Sequence, residues 1–195
     1  NGDAIDTYFL GYDEKHQREK MLYLNMLYDM VGYSIKKKYL HLIFARTCAI
    51  LFLSLISGRN PDYLIEHQVD AVPILKKTEL EIISTGYMLI ESGSETAVAR
   101  VSNTKPLDRN NSDYAMHTAQ AGEMLGNKLI YLEAGSGAKK AVPVEMIKKV
   151  SNNIEIPLIV GGGIIDLQDI QKAYEAGADL VVIGTAFEND HNFFE

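Results

Sequence analysis

Tyr131 and Glu133 stand two residues apart in an apolar run, and they are the side chains best suited by type and spacing to do chemistry. Alternate residues of an extended chain share a face, so the phenol and the carboxylate point to the same side of a sheet. A carboxylate in that position can accept the proton of an alcohol and make its oxygen a nucleophile. The plain alternative is a solvated glutamate with no task. Three glycine-rich segments could supply the rest of a site: Glu133-Ala134-Gly135-Ser136-Gly137-Ala138, Gly161-Gly162-Gly163-Ile164 and Gly184-Thr185-Ala186. Glycine lets a main-chain N–H approach an anion with no Cβ in the way. Several such amides near a helix N-terminus make a phosphate cradle. One such segment could simply turn the chain, but three at strand ends are harder to dismiss. Together they suit a small phosphorylated alcohol.

Other chemistries find less support. Gly135-Ser136-Gly137-Ala138-Lys139-Lys140 lacks the GxxxxGK[ST] spacing of a nucleoside triphosphatase. His16, His41, His67, His117 and His191 show no paired ligand spacing, and His117 reads as a packing or surface residue within a helix. Cys48 is the only cysteine, so no internal disulfide or CxxC knuckle can form, and it reads as a small core residue opening a strand. Asn110-Asn111-Ser112 is a formal glycosylation sequon with no role in a cytoplasmic chain.

The elements that must position these residues follow from periodicity and punctuation. Apolar runs predict strands at Ala49–Ile56, Glu81–Ile90, Lys128–Glu133, Pro157–Val160 and Leu180–Ile183, with a short excursion at Ala97–Val101. Between them lie helices: one with Asn60 as N-cap and Pro61 first, one capped by Ser112 and ended by Gly126, one opened by Pro143, and one capped by Asp166 and ended by Gly177. Nearly continuous apolar strands separated by helices imply a parallel sheet covered on both faces. Either an open doubly wound sheet or most of a (β/α)8 barrel fits, and both place ligands at the carboxyl ends of the strands. In barrels a phosphate often sits in the loops after the last two strands, where Gly161–Gly163 and Gly184-Thr185 fall.

The chain has 195 residues and a net charge of −7, which argues against a general nucleic-acid binder. The charge is uneven. Residues 1–47 carry a net +1 with 6 of the 11 tyrosines and only 3 of the 15 glycines, whereas residues 48–195 carry −8. The apolar spacing from Met21 to Ile35 predicts a packing helix in the first part, ending in Lys36-Lys37-Lys38, with a membrane-surface helix as the alternative. Neither an 18-residue apolar run nor a signal-peptide pattern is present, so a cytoplasmic location is expected.

Several segments together resemble geranylgeranylglyceryl phosphate synthase and its bacterial relatives: Ile50–Pro61, Ser84-Thr85-Gly86-Tyr87, Ser102-Asn103-Thr104-Lys105-Pro106, Tyr131–Ala138, Gly161–Gly163 and Gly184-Thr185-Ala186. The resemblance covers about residues 49–195, and the segment beginning at Tyr131 is its most specific part. It implies an α/β (β/α)8 TIM barrel that joins a long-chain prenyl diphosphate to sn-glycerol 1-phosphate by an ether bond, releasing diphosphate. The resemblance assigns glycerol phosphate binding to Tyr131, Leu132, Glu133, Ala134, Gly135, Ser136, Gly137, Gly162, Gly163, Gly184 and Thr185, with Glu133 catalytic. It implies Mg²⁺ on the leaving diphosphate, an apolar groove for the isoprenoid tail, peripheral membrane contact and a homo-oligomer.

Family members hold the metal with an Asp-Pro-Asp-Lys-type motif on the first strand and a Gly-Gly-Ser or Gly-Gly-Thr motif on a later one. Neither occurs in residues 1–47. The expectation is therefore an atypical helical segment over 1–47 and the C-terminal part of a barrel over 48–195. Strands four to eight are recognisable, and the first three βα units are missing or replaced. Such an arc exposes two sheet edges, one of which the Met21–Ile35 helix or a second chain could cover. Two other functions stay open at this point: an inactive phosphate-binding remnant, and another phosphate-handling barrel enzyme.

Overall fold

The structure is a computed structural model that describes residues 8–10, 22–23, 49–184 and 186. Its strands are β1 (Tyr8–Leu10), β2 (Leu22–Tyr23), β3 (Ala49–Leu55), β4 (Glu81–Leu89), β5 (Leu129–Glu133), β6 (Leu158–Gly161) and β7 (Leu180–Ile183). Its helices are α1 (His67–Leu75, entered through a π-helical turn at Asp62–Glu66), α2 (Ala97–Ser102), α3 (Ser112–Met124), α4 (Val144–Ser151) and α5 (Leu167–Glu175). They form one seven-stranded sheet in the order β1-β7-β6-β5-β4-β3-β2.

From β3 to β7 all strands are parallel and each pairs with its neighbour in sequence. A doubly wound sheet would reverse its strand order at a switch point, whereas a barrel winds in one direction. The observed order is the barrel's. The two faces of the sheet confirm the same winding. Met88, Ile130, Leu132, Val160 and Val181 pack against Ala115 and Ala119 of α3, Met146 and Ile147 of α4, and Ile170 and Ala173 of α5. On the opposite face Leu51, Leu53, Leu55, Tyr87, Leu89, Tyr131, Ile159 and Val182 form a second buried cluster, joined by Val98 of α2. Neighbours in the chain thus divide between an outer helix layer and an inner core, so both faces are dry.

The five core strands fall close to where their apolar runs predict them. Ala97–Val101 does not extend the sheet. It forms α2, because the Thr96 side chain accepts a hydrogen bond from the Ala99 N–H and Asn103 ends the helix in the left-handed conformation (φ 49°). The third helix is capped by Asn111 rather than Ser112, its Oδ1 accepting from Tyr114 N at 3.0 Å. Asn60 opens its helix as expected, accepting from Asp62 N at 3.1 Å, but the first turn is π-helical. Asp166 accepts from Asp169 N at 2.7 Å, and Gly177 (φ 100°) follows the end of α5.

Within the stretch expected to be a helix from Met21 to Ile35, Leu22–Tyr23 are a strand paired in parallel with β3, a correction to that reading. The rest of that stretch, with Cys48, lies outside the described residues. At the other edge Tyr8–Leu10 pairs antiparallel with β7. Short strands therefore flank the five-strand arc at both edges, β1 along Val181–Ile183 and β2 along Ala49 and Ile50. No described helix is long and apolar enough to cross a membrane.

Candidate active site

Strand β5 is fully buried along its length and ends on Glu133, which is 6% exposed. The register sets Tyr87 of β4 beside Tyr131, and Gly161 of β6 beside Glu133. Tyr131 and Glu133 therefore share the inner face, as their spacing predicts, but the carboxylate is sunk rather than placed on a solvated rim. Its Oε1 accepts a hydrogen bond from the Gly135 N–H at 2.7 Å. The chain makes this bond by folding back straight after the strand, and the turn rests on Gly135 in a left-handed conformation (φ 102°).

Glycine is required opposite Glu133 because there is no room for anything larger. A Cβ on Gly161 would lie 2.6 Å from the Tyr131 hydroxyl and 2.8 Å from Glu133 Oε2. On Gly162 it would overlap Glu133 Oε1 and come within 2.6 Å of the Gly135 nitrogen, and the backbone there is left-handed (φ 79°). On Gly163 it would meet the main chain of Lys140 and Ala141. The glycine run thus lets the loop after β6 lie directly on the loop after β5. Gly137 and Gly184 differ, with open space where a Cβ would stand.

The remaining residues assigned from the sequence are distributed around this centre. Leu132 and Ala134 face the helix layer, so only their main chains can meet a ligand. Ser136 and Gly137 are exposed, while Gly162, Gly163 and Gly184 are half-buried. The N–H of Gly135 is committed to Glu133, and that of Ala138 to the Gly135 carbonyl at 3.1 Å. Thr185 lies outside the described residues. His117 is exposed on α3.

Burial pushes the Glu133 carboxyl above its usual range, opposed by the Tyr131 hydroxyl beside it and by the Gly135 N–H. Tyr131 lies near enough to bias this titration but lacks the geometry of a hydrogen bond, and its hydroxyl has no partner among the described residues. Burial first, and the Glu133 charge second, hold both Tyr87 and Tyr131 protonated well beyond the ordinary phenol range. A carboxylate held up in this way is a better proton acceptor than a solvated one.

Neighbouring loops fix the centre in place. Thr96 caps α2 and lays its methyl group against Gly135, where a Cβ would overlap it. Ser57 Oγ accepts from Leu89 N at 2.9 Å and ties the end of β3 to the end of β4. Two of the sequence segments turn out to lock onto each other: Asn60 donates to the Ser102 carbonyl at 2.8 Å, and Gly58 lies against Thr104. Sequence reasoning did not single out Thr96 or Tyr87 as site residues. A threonine ahead of Ala-Val-Ala is a cap signal for Thr96. Tyr87 becomes visible only when β4 is registered on β5.

Beside the centre, an open concavity of about 630 Å³ is lined by residues including Glu91, Ser94, Arg100, Thr104 and Lys105. That lining mixes charged side chains with the apolar surface of Ala99 and Pro106. Among the described residues no three His, Cys, Asp or Glu side chains cluster as metal ligands do. Among the described residues Glu133 is the only buried carboxylate, and one of its oxygens is already taken by the Gly135 N–H. The described residues therefore offer no ligand set for the Mg²⁺ that the resemblance implies.

Known proteins place this geometry. The model of the PcrB family matches residues 41–194. Geranylgeranylglyceryl phosphate synthase of Flavobacterium johnsoniae is 78% identical over 147 residues, which are 75% of this chain and 60% of that protein. The enzyme of the same name from Zunongwangia profunda is 59% identical over 140 residues, 72% of this chain and 60% of that protein. Among solved structures, (S)-3-O-geranylgeranylglyceryl phosphate synthase of Thermoplasma acidophilum, in complex with substrate sn-glycerol-1-phosphate, superposes with a TM-score of 0.71 at 33% identity. The match covers 76% of this chain and 59% of that one. GGGPS of Thermoplasma volcanium gives 0.70 at 36% identity, with the same coverage. The chain thus spans about 60% of the length of the curated relatives it matches.

Proposed function

The chain belongs to the PcrB family, and from that premise we propose that it carries the glycerol phosphate side of a prenyltransferase site. The observation that carries this reading is Glu133, buried at the end of β5 and hydrogen-bonded to the Gly135 N–H against a glycine run that leaves space only for its own carboxylate. The substrates are sn-glycerol 1-phosphate and a long-chain prenyl diphosphate. The phosphate lies against the loops at Gly162-Gly163 and Gly184-Thr185, where main-chain amides can approach an anion.

Glu133 accepts the proton of the glycerol hydroxyl. That oxygen attacks the first carbon of the prenyl chain, the carbon–oxygen bond to diphosphate breaks, and the electron pair leaves with diphosphate. The new carbon–oxygen bond is the ether. Glu133 holds one oxygen on Gly135 and turns the other, beside Tyr131, toward the alcohol. Its raised pKa makes it a stronger proton acceptor than a solvated carboxylate.

Incubation with sn-glycerol 1-phosphate and geranylgeranyl diphosphate, with and without Mg²⁺, tests the proposal by mass spectrometry of the lipid fraction. Ether product lost in Glu133→Gln supports it. Glycerol phosphate binding without product under any condition supports instead an inactive binding remnant. Turnover of a phosphosugar in place of glycerol phosphate contradicts both.

A further inference from the structure

The proposed chemistry uses Glu133 and its neighbour Tyr131, and leaves one buried polar group unused. Tyr87 is wholly buried on the inner face, and its hydroxyl has no hydrogen-bond partner among the described residues. A buried hydroxyl left unpaired is costly, whereas phenylalanine would fill the same space without that cost. The ring is held edge-on to Tyr131, with centroids 5.3 Å apart and planes at 80°. The hydroxyl is close enough to Glu133 for the carboxylate charge to act on it. Tyr87 and Tyr131, whose hydroxyls have no partners among the described residues, thus stand side by side on adjacent strands, and the Tyr131 hydroxyl and Glu133 Oε2 meet opposite Gly161.

Resting on the function proposed above, we infer that Tyr87 is a specificity contact, its hydroxyl pairing with the glycerol hydroxyl that does not react. The ligand has two hydroxyls to satisfy. Glu133 takes the one that becomes the ether oxygen, and a neutral phenol, which can donate and accept, suits the one that stays an alcohol. A site that hydrogen-bonds a substrate hydroxyl discriminates against the analogue lacking it, because its own buried group is then left unpaired. Tyr87 would thus favour glycerol phosphate over a phosphorylated alcohol without the central hydroxyl.

Calorimetric titration of the full chain and of Tyr87→Phe, each with sn-glycerol 1-phosphate and with 1,3-propanediol monophosphate, tests this. In the variant, affinity for glycerol phosphate is expected to fall on the order of tenfold, with affinity for the propanediol ester unchanged. The urea midpoint of the ligand-free variant should equal or exceed the parent's, because an unpaired buried hydroxyl has gone. Equal losses for both ligands, or no loss for glycerol phosphate, would overturn the assignment while leaving the functional reading intact. A parent protein that binds neither ligand would defeat the functional reading and this inference with it.

Discussion

Glu133 sits where burial and hydrogen bonding oppose each other, so its behaviour with pH reports on the site. Burial raises its native pKa above the usual 4.5, and the native state keeps a proton that the unfolded chain has already released. The stabilisation is fully present below the unfolded pKa and is lost as pH rises through the native one. Glu133→Gln removes this titration, so its unfolding free energy in urea should decline less than the parent's from about pH 4.5 upward. Parallel pH profiles would contradict the burial. The glycines give a second test. Gly162→Ala brings a Cβ onto Glu133 at a left-handed backbone and should cost about 3 kcal/mol in urea melts. Gly137→Ala has open space around it and should cost only about 1 kcal/mol for its conformation. The spacing of Tyr131 and Glu133 was enough to place both on one face. Tyr87 was not legible as their partner, because pairing between strands is set by register, which a single run of sequence does not carry.

Among the elements, α2 connects the fold most directly to the site, since Thr96 both caps it and fills the space beside Gly135. The two roles can be separated. Thr96→Ser keeps the capping oxygen and loses the methyl group, whereas Thr96→Val keeps the shape and loses the cap. Thr96→Val should lower stability by about 1 kcal/mol, and Thr96→Ser should leave the cap intact while loosening the turn that holds Glu133. Urea midpoints read the first effect, and glycerol phosphate affinity reads the second. Strands β3, β5, β6 and β7 were legible because each is a nearly continuous apolar run followed closely by Gly, and β4 because β-branched and aromatic residues dominate it. The capped helices were legible to within a residue. Ala97–Val101 was not, because a short apolar stretch has no period long enough to separate helix from strand, and the cap at Thr96 decides it. At Leu22–Tyr23 an apolar spacing that reads as helical pairs instead with the edge of β3, a long-range contact that periodicity cannot foresee.

For the whole molecule, what matters is that the sheet is buried on both faces. Leu53 belongs to the inner cluster and Leu132 to the helix layer, and both are fully buried. Leu53→Ala and Leu132→Ala should therefore each cost about 3 kcal/mol. A sheet with one wet face would spare Leu53, and the two urea melts would diverge. The sequence could not choose between a doubly wound sheet and a barrel, since both share one local pattern; the monotonic strand order makes that choice. That order sets the ends of β5, β6 and β7 side by side, and the loop after β6 lies directly against the Glu133 carboxylate. In the proposed function these loops hold a phosphorylated alcohol with its hydroxyl on Glu133. A crystal structure of the chain with sn-glycerol 1-phosphate tests it most directly. The hydroxyl is expected within hydrogen-bond distance of Glu133 and the phosphate on the main-chain amides at Gly162-Gly163 and Gly184. A phosphate bound away from those glycines, or a Glu133 that meets no ligand atom, would contradict it.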